Sequence, residues 1–295
     1  MSEPILHADH VSIRFGGLQA LTDFDLRVAP GELVGLIGPN GAGKTTAFNV
    51  LTGVYRPTSG EVRIAGEQVS GMRPNEIAAR GLARTFQNIR LFKELSVLDN
   101  VRIACHHRAK VSWLGSVLGG PAAFREETAI RERSMELLET LGLADRRDEL
   151  AKNLPYGEQR RLEIARALAT GPRCLLLDEP AAGMNPQEKL ELMKLIRWIR
   201  DRHELAILVI EHDMKLVMGV CERLCVLDHG VRIAEGAPDE VRRNPKVIEA
   251  YLGTSGSESG SGGESGSGGA AGAGGAAGGS GEAGEKPDDV REASR

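Results

Sequence analysis

One short segment strongly limits what this chain can fold into and bind. Residues 38–46, Gly-Pro-Asn-Gly-Ala-Gly-Lys-Thr-Thr, follow the apolar run 33–37 and match the spacing G-x-x-x-x-G-K-[ST] of a phosphate-binding P-loop. Glycines allow the backbone N–H groups to face an anion, and the helix predicted after the loop directs its positive end to the same place. The candidate nucleotide-binding residues are Gly38, Pro39, Asn40, Gly41, Ala42, Gly43, Lys44, Thr45 and Thr46, where Lys44 adds a full charge and Thr45 is expected to hold Mg²⁺. The predicted strand before the loop and helix after it disfavour the alternative, a glycine-rich turn without a ligand.

An acidic pair follows a second apolar run much later in the chain. Residues 174–177, Cys-Leu-Leu-Leu, are predicted to form a short buried strand, and Asp178 and Glu179 come directly after it. In nucleotide hydrolases with a P-loop, a carboxylate at such a strand end orients Mg²⁺, and a neighbouring carboxylate takes a proton from the attacking water. We expect Asp178 to have the first role and Glu179 the second. An isolated pair would by default be two solvated carboxylates, but the P-loop favours the catalytic interpretation.

The segment between these two sites resembles a known family. Residues 154–168, Leu-Pro-Tyr-Gly-Glu-Gln-Arg-Arg-Leu-Glu-Ile-Ala-Arg-Ala-Leu, are similar to the signature segment of ABC ATPases, which usually has Leu-Ser-Gly-Gly-Gln before an Arg-rich helix. The chain keeps the leucine, one glycine and the helix, but has Pro155, Tyr156 and Glu158 at the variable places. The resemblance implies that Pro155, Tyr156, Gly157 and Glu158 face the ATP of a second subunit, with the helix N-terminus toward its γ-phosphate.

The other motifs of the family occur in the same order along the chain. Gln87, at the end of Arg-Thr-Phe-Gln, resembles the Q-loop glutamine, residues 183–186 resemble the D-loop, and His212 resembles the switch histidine. Phe15 occupies the place where the family has an aromatic ring that stacks on adenine. The resemblance implies that Gln87 contacts Mg²⁺ and acts in catalysis together with Glu179 and His212. Each motif alone has a structural explanation, and their order around the P-loop and the acidic pair favours the functional one.

Residues 5–253 are most similar to the first ATPase subunit of high-affinity branched-chain amino acid importers. The stretches that carry this similarity are 14–18, 48–53, 84–92, 180–186, 211–218 and 244–253. The resemblance implies an α/β fold: a P-loop NTPase (RecA-like) core, an antiparallel β edge subdomain and an inserted α-helical signature subdomain at about 95–168. It also implies ATP and Mg²⁺ as cofactors and a dimer with a second ABC ATPase subunit, identical or different. The further partners would be two membrane permeases and, indirectly, an external solute-binding protein.

Several other functions remain open at this point. The ATPase of the lipopolysaccharide exporter and the ATPases of urea or amide importers have similar cassettes and would differ in cargo. A soluble ABC protein that acts on ribosomes usually has two cassettes and a basic linker, whereas this chain has one cassette and no internal repeat. A non-catalytic binding module would need a damaged acidic pair, and both carboxylates are present. The residues do not identify the cargo, because an ATPase subunit does not contact it.

Charge and composition separate a body from a tail. Seven of the 41 acidic and three of the 37 basic residues lie in 255–295, so residues 1–254 carry 34 of each sign and give no electrostatic indication of nucleic-acid binding. The tail consists mainly of Gly, Ser, Ala and Glu without periodicity. We expect it to be disordered, because it cannot bury enough apolar surface to offset the entropy of ordering. Residues 1–254 would then form the ATPase domain.

The sequence also indicates where the protein is located and whether its cysteines form disulfides. It contains no apolar run of membrane-spanning length and does not begin like a signal peptide, so we expect a cytoplasmic protein, peripheral on the inner face of the cell membrane. The four cysteines show no disulfide framework, and buried thiols are a better explanation than a metal site. Cys221 and Cys225 would share one face if that segment were a helix.

The apolar pattern gives a coarse order of elements. We expect two strands within 5–28, a strand at 61–64 and helices from about 97 to 168. The later elements alternate: a strand at 174–177, a helix at about 187–201, a strand at 206–210, a helix, and a strand at 224–227. The apolar, glycine-broken segment 111–121 is either a buried loop or a surface that meets another protein.

Overall fold

The computed structural model of the protein describes residues 3–106 and 121–255. The strands are β1 (Leu6–Phe15), β2 (Leu18–Val28), β3 (Leu33–Ile37), β4 (Ser59–Ile64), β5 (Glu67–Gln68), β6 (Leu82–Arg84), β7 (Cys174–Asp178), β8 (Ala206–Ile210), β9 (Arg223–Asp228) and β10 (Val231–Gly236). The helices are α1 (Lys44–Leu51), α2 (Pro74–Ala79), α3 (Val97–Cys105), α4 (Pro121–Thr140), α5 (Tyr156–Ala169), α6 (Pro186–His203), α7 (Met214–Val220), α8 (Pro238–Arg243) and α9 (Pro245–Ser255). The predictions for residues 111–120 and for the tail after Ser255 concern residues outside those described.

A six-stranded sheet forms the centre of the fold. Its order is β10-β9-β3-β8-β7-β6, and all neighbours pair parallel except β10, which pairs antiparallel with β9. Side chains of β3 alternate between two apolar clusters, with Leu33 and Ile37 in one cluster and Val34 and Leu36 in the other. Both faces of the sheet are therefore covered. This double burial explains why β3, β7 and β8 are almost continuous apolar runs in the sequence.

A smaller antiparallel sheet covers one face of the central sheet. Its order is β2-β1-β4-β5, and the strands expected within 5–28 and at 61–64 are β1, β2 and β4. Leu6 and Leu26 of this sheet lie in one apolar cluster with Phe48 of α1 and Leu176 of β7. The antiparallel edge subdomain predicted from the sequence is thus confirmed, and it packs on the P-loop helix.

The helices expected from about 97 to 168 cover the opposite face. Helix α3 contacts both α4 and α5, and Val101, Leu137 and Leu162 from these three helices belong to one apolar cluster with Leu177 of β7. The inserted helical part predicted from the sequence is confirmed as an element of the fold. Within residues 3–106 and 121–255, no helix combines the length and the apolar character needed to cross a bilayer.

The cysteines are buried, as expected from the sequence. Cys221 caps the C-terminus of α7 and Cys225 lies within β9, the strand expected at 224–227, so the two do not share a helix face. All four thiols, including Cys105 and Cys174, are free and buried. Burial raises the pKa of Cys221 and of Cys225 to about 12. These thiols act as small apolar side chains of the core.

The two-sided burial of the central sheet leads to a stability prediction. Leu176 of β7 is fully buried, whereas Leu190 of α6 is 60 % exposed. We expect Leu176→Ala to lower the free energy of unfolding by about 2–5 kcal/mol, because it removes buried methyl groups and leaves a cavity. The matched control Leu190→Ala should change it by no more than about 0.5 kcal/mol. Urea unfolding followed by circular dichroism measures both, and equal losses would contradict this account of the core.

Candidate functional site

The parallel pairing brings four chain segments to one edge of the central sheet. Strand β3 leads into the P-loop, β6 into Gln87, β7 into Asp178 and Glu179, and β8 into His212. Because the carboxyl ends of parallel strands meet on the same side of a sheet, these residues converge although they are far apart in sequence. Crevices at this edge are the usual ligand sites of parallel α/β sheets.

The P-loop requires glycine at specific positions. Gly38, Gly41 and Gly43 all have positive φ, and a Cβ on Gly38 would lie 2.1 Å from the carbonyl oxygen of Leu227. Helix α1 begins after Gly43 with no side chain capping its first turn. The first N–H groups of a helix have no partner within the helix, so this uncapped turn is suited to binding an anion.

Lys44 lies across the loop that precedes it. Its Nζ donates hydrogen bonds to the carbonyl oxygens of Gly38 at 2.6 Å and Pro39 at 2.8 Å. The residue is 9 % exposed, and this burial lowers the pKa of Lys44, while the nearby charge of Glu179 acts in the opposite direction. The loop is therefore shaped around a positive charge.

Glu179 lies at the centre of the polar side chains at the sheet edge. Its Oε2 accepts a hydrogen bond from Gln87 Nε2 at 2.9 Å, and its Oε1 lies 3.7 Å from His212 Nδ1. Its backbone has φ of 44°, and its N–H donates to the Ile210 carbonyl at 3.0 Å. A left-handed conformation in a residue other than glycine costs about 1–3 kcal/mol and occurs preferentially at functional sites. The structure thus brings the three predicted catalytic residues together.

Asp178 has a partner that the sequence analysis did not identify. Its Oδ2 accepts a hydrogen bond from Arg84 Nη2 at 2.8 Å, and Arg84 Nη1 donates to Asn49 Oδ1 at 2.8 Å. Both members of the Arg84–Asp178 pair are nearly buried. The ion pair occupies one carboxylate oxygen, and the second oxygen of an ionised carboxylate retains acceptor capacity. The available signal for Arg84 was its place just before Thr-Phe-Gln.

Glu211 is a further buried carboxyl group beside this network. It is 1 % exposed, and its Oε1 accepts a hydrogen bond from the Ala181 N–H at 3.0 Å. Burial is the largest cause that raises the pKa of Glu211. The contact joins the end of β8 to the segment after β7, and so fixes His212 relative to Glu179.

Phe15 is paired with a second ring. It is 42 % exposed and makes an edge-to-face contact with Tyr55, with the ring centroids 5.0 Å apart. Tyr55 was not recognisable from the sequence, because it lies far from Phe15 along the chain. Together the two rings form an exposed aromatic pair, and such rings can stack on a base.

The signature residues have neighbours different from those of the P-loop. Pro155 is the N-cap of α5 and supplies no side-chain cap. A Cβ on Gly157 would lie 3.6 Å from Glu188 Oε1 of α6, and a Cβ on Gly183 would lie 3.4 Å from the ring of Tyr156. Gly43 of the P-loop instead approaches Ala20 of β2 and Gly230 in the turn between β9 and β10. The signature residues thus lie against α6 and the segment before it.

Two family models match the chain. The model described as ABC transporter matches residues 21–182, and the model described as branched-chain amino acid ATP-binding cassette transporter matches residues 231–256. The first match contains the P-loop, Gln87, the signature segment and the acidic pair. The second match contains β10, α8 and α9.

The chain is similar over most of its length to curated proteins. It is 47 % identical over 253 residues to the high-affinity branched-chain amino acid transport ATP-binding protein LivG of Escherichia coli K12. This alignment covers 86 % of this chain and 99 % of LivG. It is 34 % identical over 249 residues to the lipopolysaccharide export system ATP-binding protein LptB of Haemophilus influenzae. That alignment covers 84 % of this chain and 97 % of LptB.

Solved structures show the same fold. The ADP conformation of an ATP-binding cassette of an ABC transporter matches with a TM-score of 0.73 and 31 % identity, over 85 % of this chain and all of the other. A dimeric cassette in a post-hydrolysis state bound to ADP and phosphate matches with a TM-score of 0.66 and 25 % identity, over 79 % of this chain and 98 % of the other. On these matches and the geometry above, the chain belongs to the ATP-binding, ATP-hydrolysing subunits of ABC transporters.

Proposed function

We propose that this ABC ATPase energises the import of branched-chain amino acids through two partner permeases at the inner face of the cell membrane. The observation that carries the cargo assignment is the 47 % identity to LivG over nearly the whole of that protein. The match of residues 231–256 to the branched-chain model points the same way. The lower identity of 34 % to LptB makes lipopolysaccharide export the weaker alternative.

The P-loop residues are proposed to hold the phosphates of ATP. The uncapped N-terminus of α1 and the N–H groups of residues 38–46 other than Pro39 supply neutral donors, and Lys44 supplies the positive charge. The exposed rings of Phe15 and Tyr55 offer an apolar contact for the base. A base stacked on an aromatic ring gains about 1–3 kcal/mol, by analogy with aromatic contacts to nucleic-acid bases.

Thr45, Gln87 and Asp178 are the residues proposed to hold Mg²⁺. They offer a hydroxyl, an amide and a carboxylate oxygen, the oxygen ligands that this ion prefers. When bound, the ion would neutralise charge on the phosphate oxygens. In the structure, Arg84 already holds one oxygen of Asp178, which fixes the orientation of the carboxylate.

Glu179 is proposed to be the general base, and His212 to sense the γ-phosphate. The backbone conformation of Glu179 and its hydrogen bond from Gln87 orient the carboxylate at the sheet edge. A general base must lie within hydrogen-bond reach of the water that it deprotonates, so this orientation is part of the proposed role. His212 is 3.7 Å from the same carboxylate and 60 % exposed, so it is accessible to a bound nucleotide.

The signature residues are proposed to complete the nucleotide site of a second cassette. In this chain they lie against α6, whereas the P-loop approaches β2. The similarity to a cassette whose structure is dimeric supports this assignment. The uncapped start of α5 at Pro155 would present its N–H groups to the partner's γ-phosphate.

A groove beside the Q-loop, the segment that follows β6 and contains Gln87, is the proposed contact for a permease. It has a volume of about 500 Å³, and its lining includes Arg84, Phe86 and Arg90 next to Gln87, together with Ala104 of α3 and Ala167 of α5. Because Phe86 lines this groove, a change in the main-chain position of the neighbouring Gln87 would also move a lining residue. The nucleotide site would thereby affect a subunit that it does not contact.

The general-base assignment predicts a separation of binding from hydrolysis. We expect Glu179→Gln to bind ATP like the wild type, because Lys44 and the loop N–H groups are unchanged, and to lose turnover. Lys44→Ala should lose ATP binding, and His212→Ala should keep binding and lose turnover. Equilibrium ATP binding and phosphate release on the same preparations measure both properties. Wild-type turnover in Glu179→Gln would refute the assignment.

The proline at position 155 leads to the prediction that the two ATP sites of the dimer hydrolyse ATP at different rates. It replaces the usual serine of the signature and offers neither a hydroxyl nor an N–H donor. A lost hydrogen bond to a charged group is worth about 1.5–3 kcal/mol, or about a tenfold to hundredfold loss in rate if it acts in the transition state. With a partner whose signature has serine, Lys44→Ala here should cost more single-turnover activity than the same change in the partner. Pro155→Ser should reduce that difference, and equal losses would contradict the asymmetry.

The cargo assignment predicts which uptake depends on this chain. Cells that lack the protein should lose high-affinity uptake of radiolabelled leucine, isoleucine and valine, and the wild-type chain should restore it. Glu179→Gln, expressed at the same level, serves as the matched control and should not restore uptake. Normal leucine uptake in the deletion strain, with a defect in urea uptake or in surface lipopolysaccharide instead, would overturn the assignment.

A further inference from the structure

Helix α5 contains a buried ion pair on its apolar face. Arg160 is 0 % exposed and Glu163 is 5 % exposed, and Arg160 Nη1 lies 2.7 Å from Glu163 Oε2. Their neighbours on the same face include Ile164 and Leu168, which belong to the apolar core. A buried ion pair of this kind often stabilises a fold no more than apolar residues of the same size would. Its hydrogen bonds to other groups therefore indicate what it does.

The pair holds the main chain of the Q-loop. Arg160 donates from Nη1 to the Phe86 carbonyl at 2.6 Å and from Nη2 to the Gln87 carbonyl at 2.8 Å. Glu163 Oε1 accepts from the N–H groups of Phe86 at 3.3 Å and Arg90 at 3.4 Å. Residues 85–95 form neither helix nor strand, so their backbone groups need partners from elsewhere. The two charged side chains supply them on both sides of Gln87.

Gln87 is the link from this anchor to the hydrolytic residues. Gln87 is exposed, so burial does not fix the position of its side chain. Its main-chain carbonyl is held by Arg160, and its Nε2 donates to Glu179 Oε2 at 2.9 Å. At the other end, Arg160 Nη2 also donates to the Tyr156 hydroxyl at 3.3 Å, in the signature segment. A continuous series of hydrogen bonds thus runs from Tyr156 through Arg160 and Gln87 to Glu179.

We propose that Arg160 is a positioning residue that fixes the main chain of Gln87, so that its amide stays in contact with Glu179 and the signature helix is anchored to the hydrolytic site of its own chain. This inference rests on the proposed roles of Gln87 and Glu179. Under the proposed dimer, the same helix start faces the ATP of the partner. Arg160 then connects the group that completes one ATP site to the group that hydrolyses ATP at the other.

Arginine is required at this position for a geometric reason. Its planar guanidinium reaches two successive carbonyls and the Glu163 carboxylate at once, whereas a lysine ammonium is a single centre on a flexible chain. Arg160→Lys therefore keeps the charge beside Glu163 but loses the paired contact with Phe86 and Gln87. Arg166, which donates to the Arg90 carbonyl, is unchanged in this variant and keeps the far end of the segment attached.

The first test measures hydrolysis in the complex that co-purifies with the full-length chain. Arg160→Lys should lower kcat about tenfold with KM unchanged, the effect expected from one lost hydrogen bond to a charged group. Arg161→Lys is the matched control on the same helix, because Arg161 is partly exposed and its guanidinium donates to the Leu141 carbonyl at 3.5 Å. In a Gln87→Ala background, Arg160→Lys should have little further effect. If the fold losses in kcat from Arg160→Lys and Gln87→Ala multiplied fully in the double variant, the proposal would be overturned.

The second test does not depend on nucleotide or on activity. Without ATP, hydrogen exchange of peptides that span residues 86–90 should be faster in Arg160→Lys than in the wild type and unchanged in Arg161→Lys. If Arg160→Lys does not fold, Arg160→Met combined with Glu163→Met removes both charges together and should give the same two results. Unchanged exchange and unchanged kcat would refute the positioning role. Wild-type turnover in both Gln87→Ala and Glu179→Gln would instead refute the proposed function, whatever the exchange result.

Discussion

The common direction of β3, β8, β7 and β6 is the constraint on which the site depends. Each strand contributes one segment at its carboxyl end, and these segments lie far apart in the sequence. The alignment is maintained by apolar side chains on both faces of the sheet, which pack against the small antiparallel sheet on one side and the helices on the other. Weak packing on either face would displace the polar residues from one another.

The buried charged side chains at this end of the sheet each have a hydrogen-bond partner. Arg84 contacts Asp178, Lys44 contacts two carbonyls, and Glu211 accepts a backbone N–H. Removal of one member of a buried pair leaves an uncompensated charge, which destabilises more than the pair itself stabilises. Glu179 also interacts electrostatically with Lys44 and Glu211, so substitutions at these residues are expected to be non-additive.

The sequence predicted the strongly patterned parts of this structure. Strands β3, β7 and β8 are apolar on both faces, and the P-loop has a fixed spacing, so both were recognisable without tertiary information. The three-residue strand β6 was missed because it is too short to show a period, although it is the strand that positions Gln87.

The unpredicted site residues share a different property. Arg84, Arg160 and Tyr55 act through contacts with residues far away in the chain, and nothing in their local sequence specifies the partner. The spacing of Arg160 and Glu163, three apart on an otherwise apolar helix face, was a usable signal for a buried pair. What it did not show was that the pair holds a separate loop.

The burial of all four cysteines has a practical consequence. A thiol reacts as its thiolate, and burial both raises the pKa of Cys221 and Cys225 to about 12 and shields all four sulfur atoms from reagents. Alkylation of the native protein therefore requires local opening around Cys105, α7, β7 or β9, and its rate reports that opening. For labelling chemistry, we therefore expect the native chain to react like a cysteine-free background. A single cysteine introduced at an exposed position would take up a maleimide fluorophore selectively, without prior removal of the natural thiols.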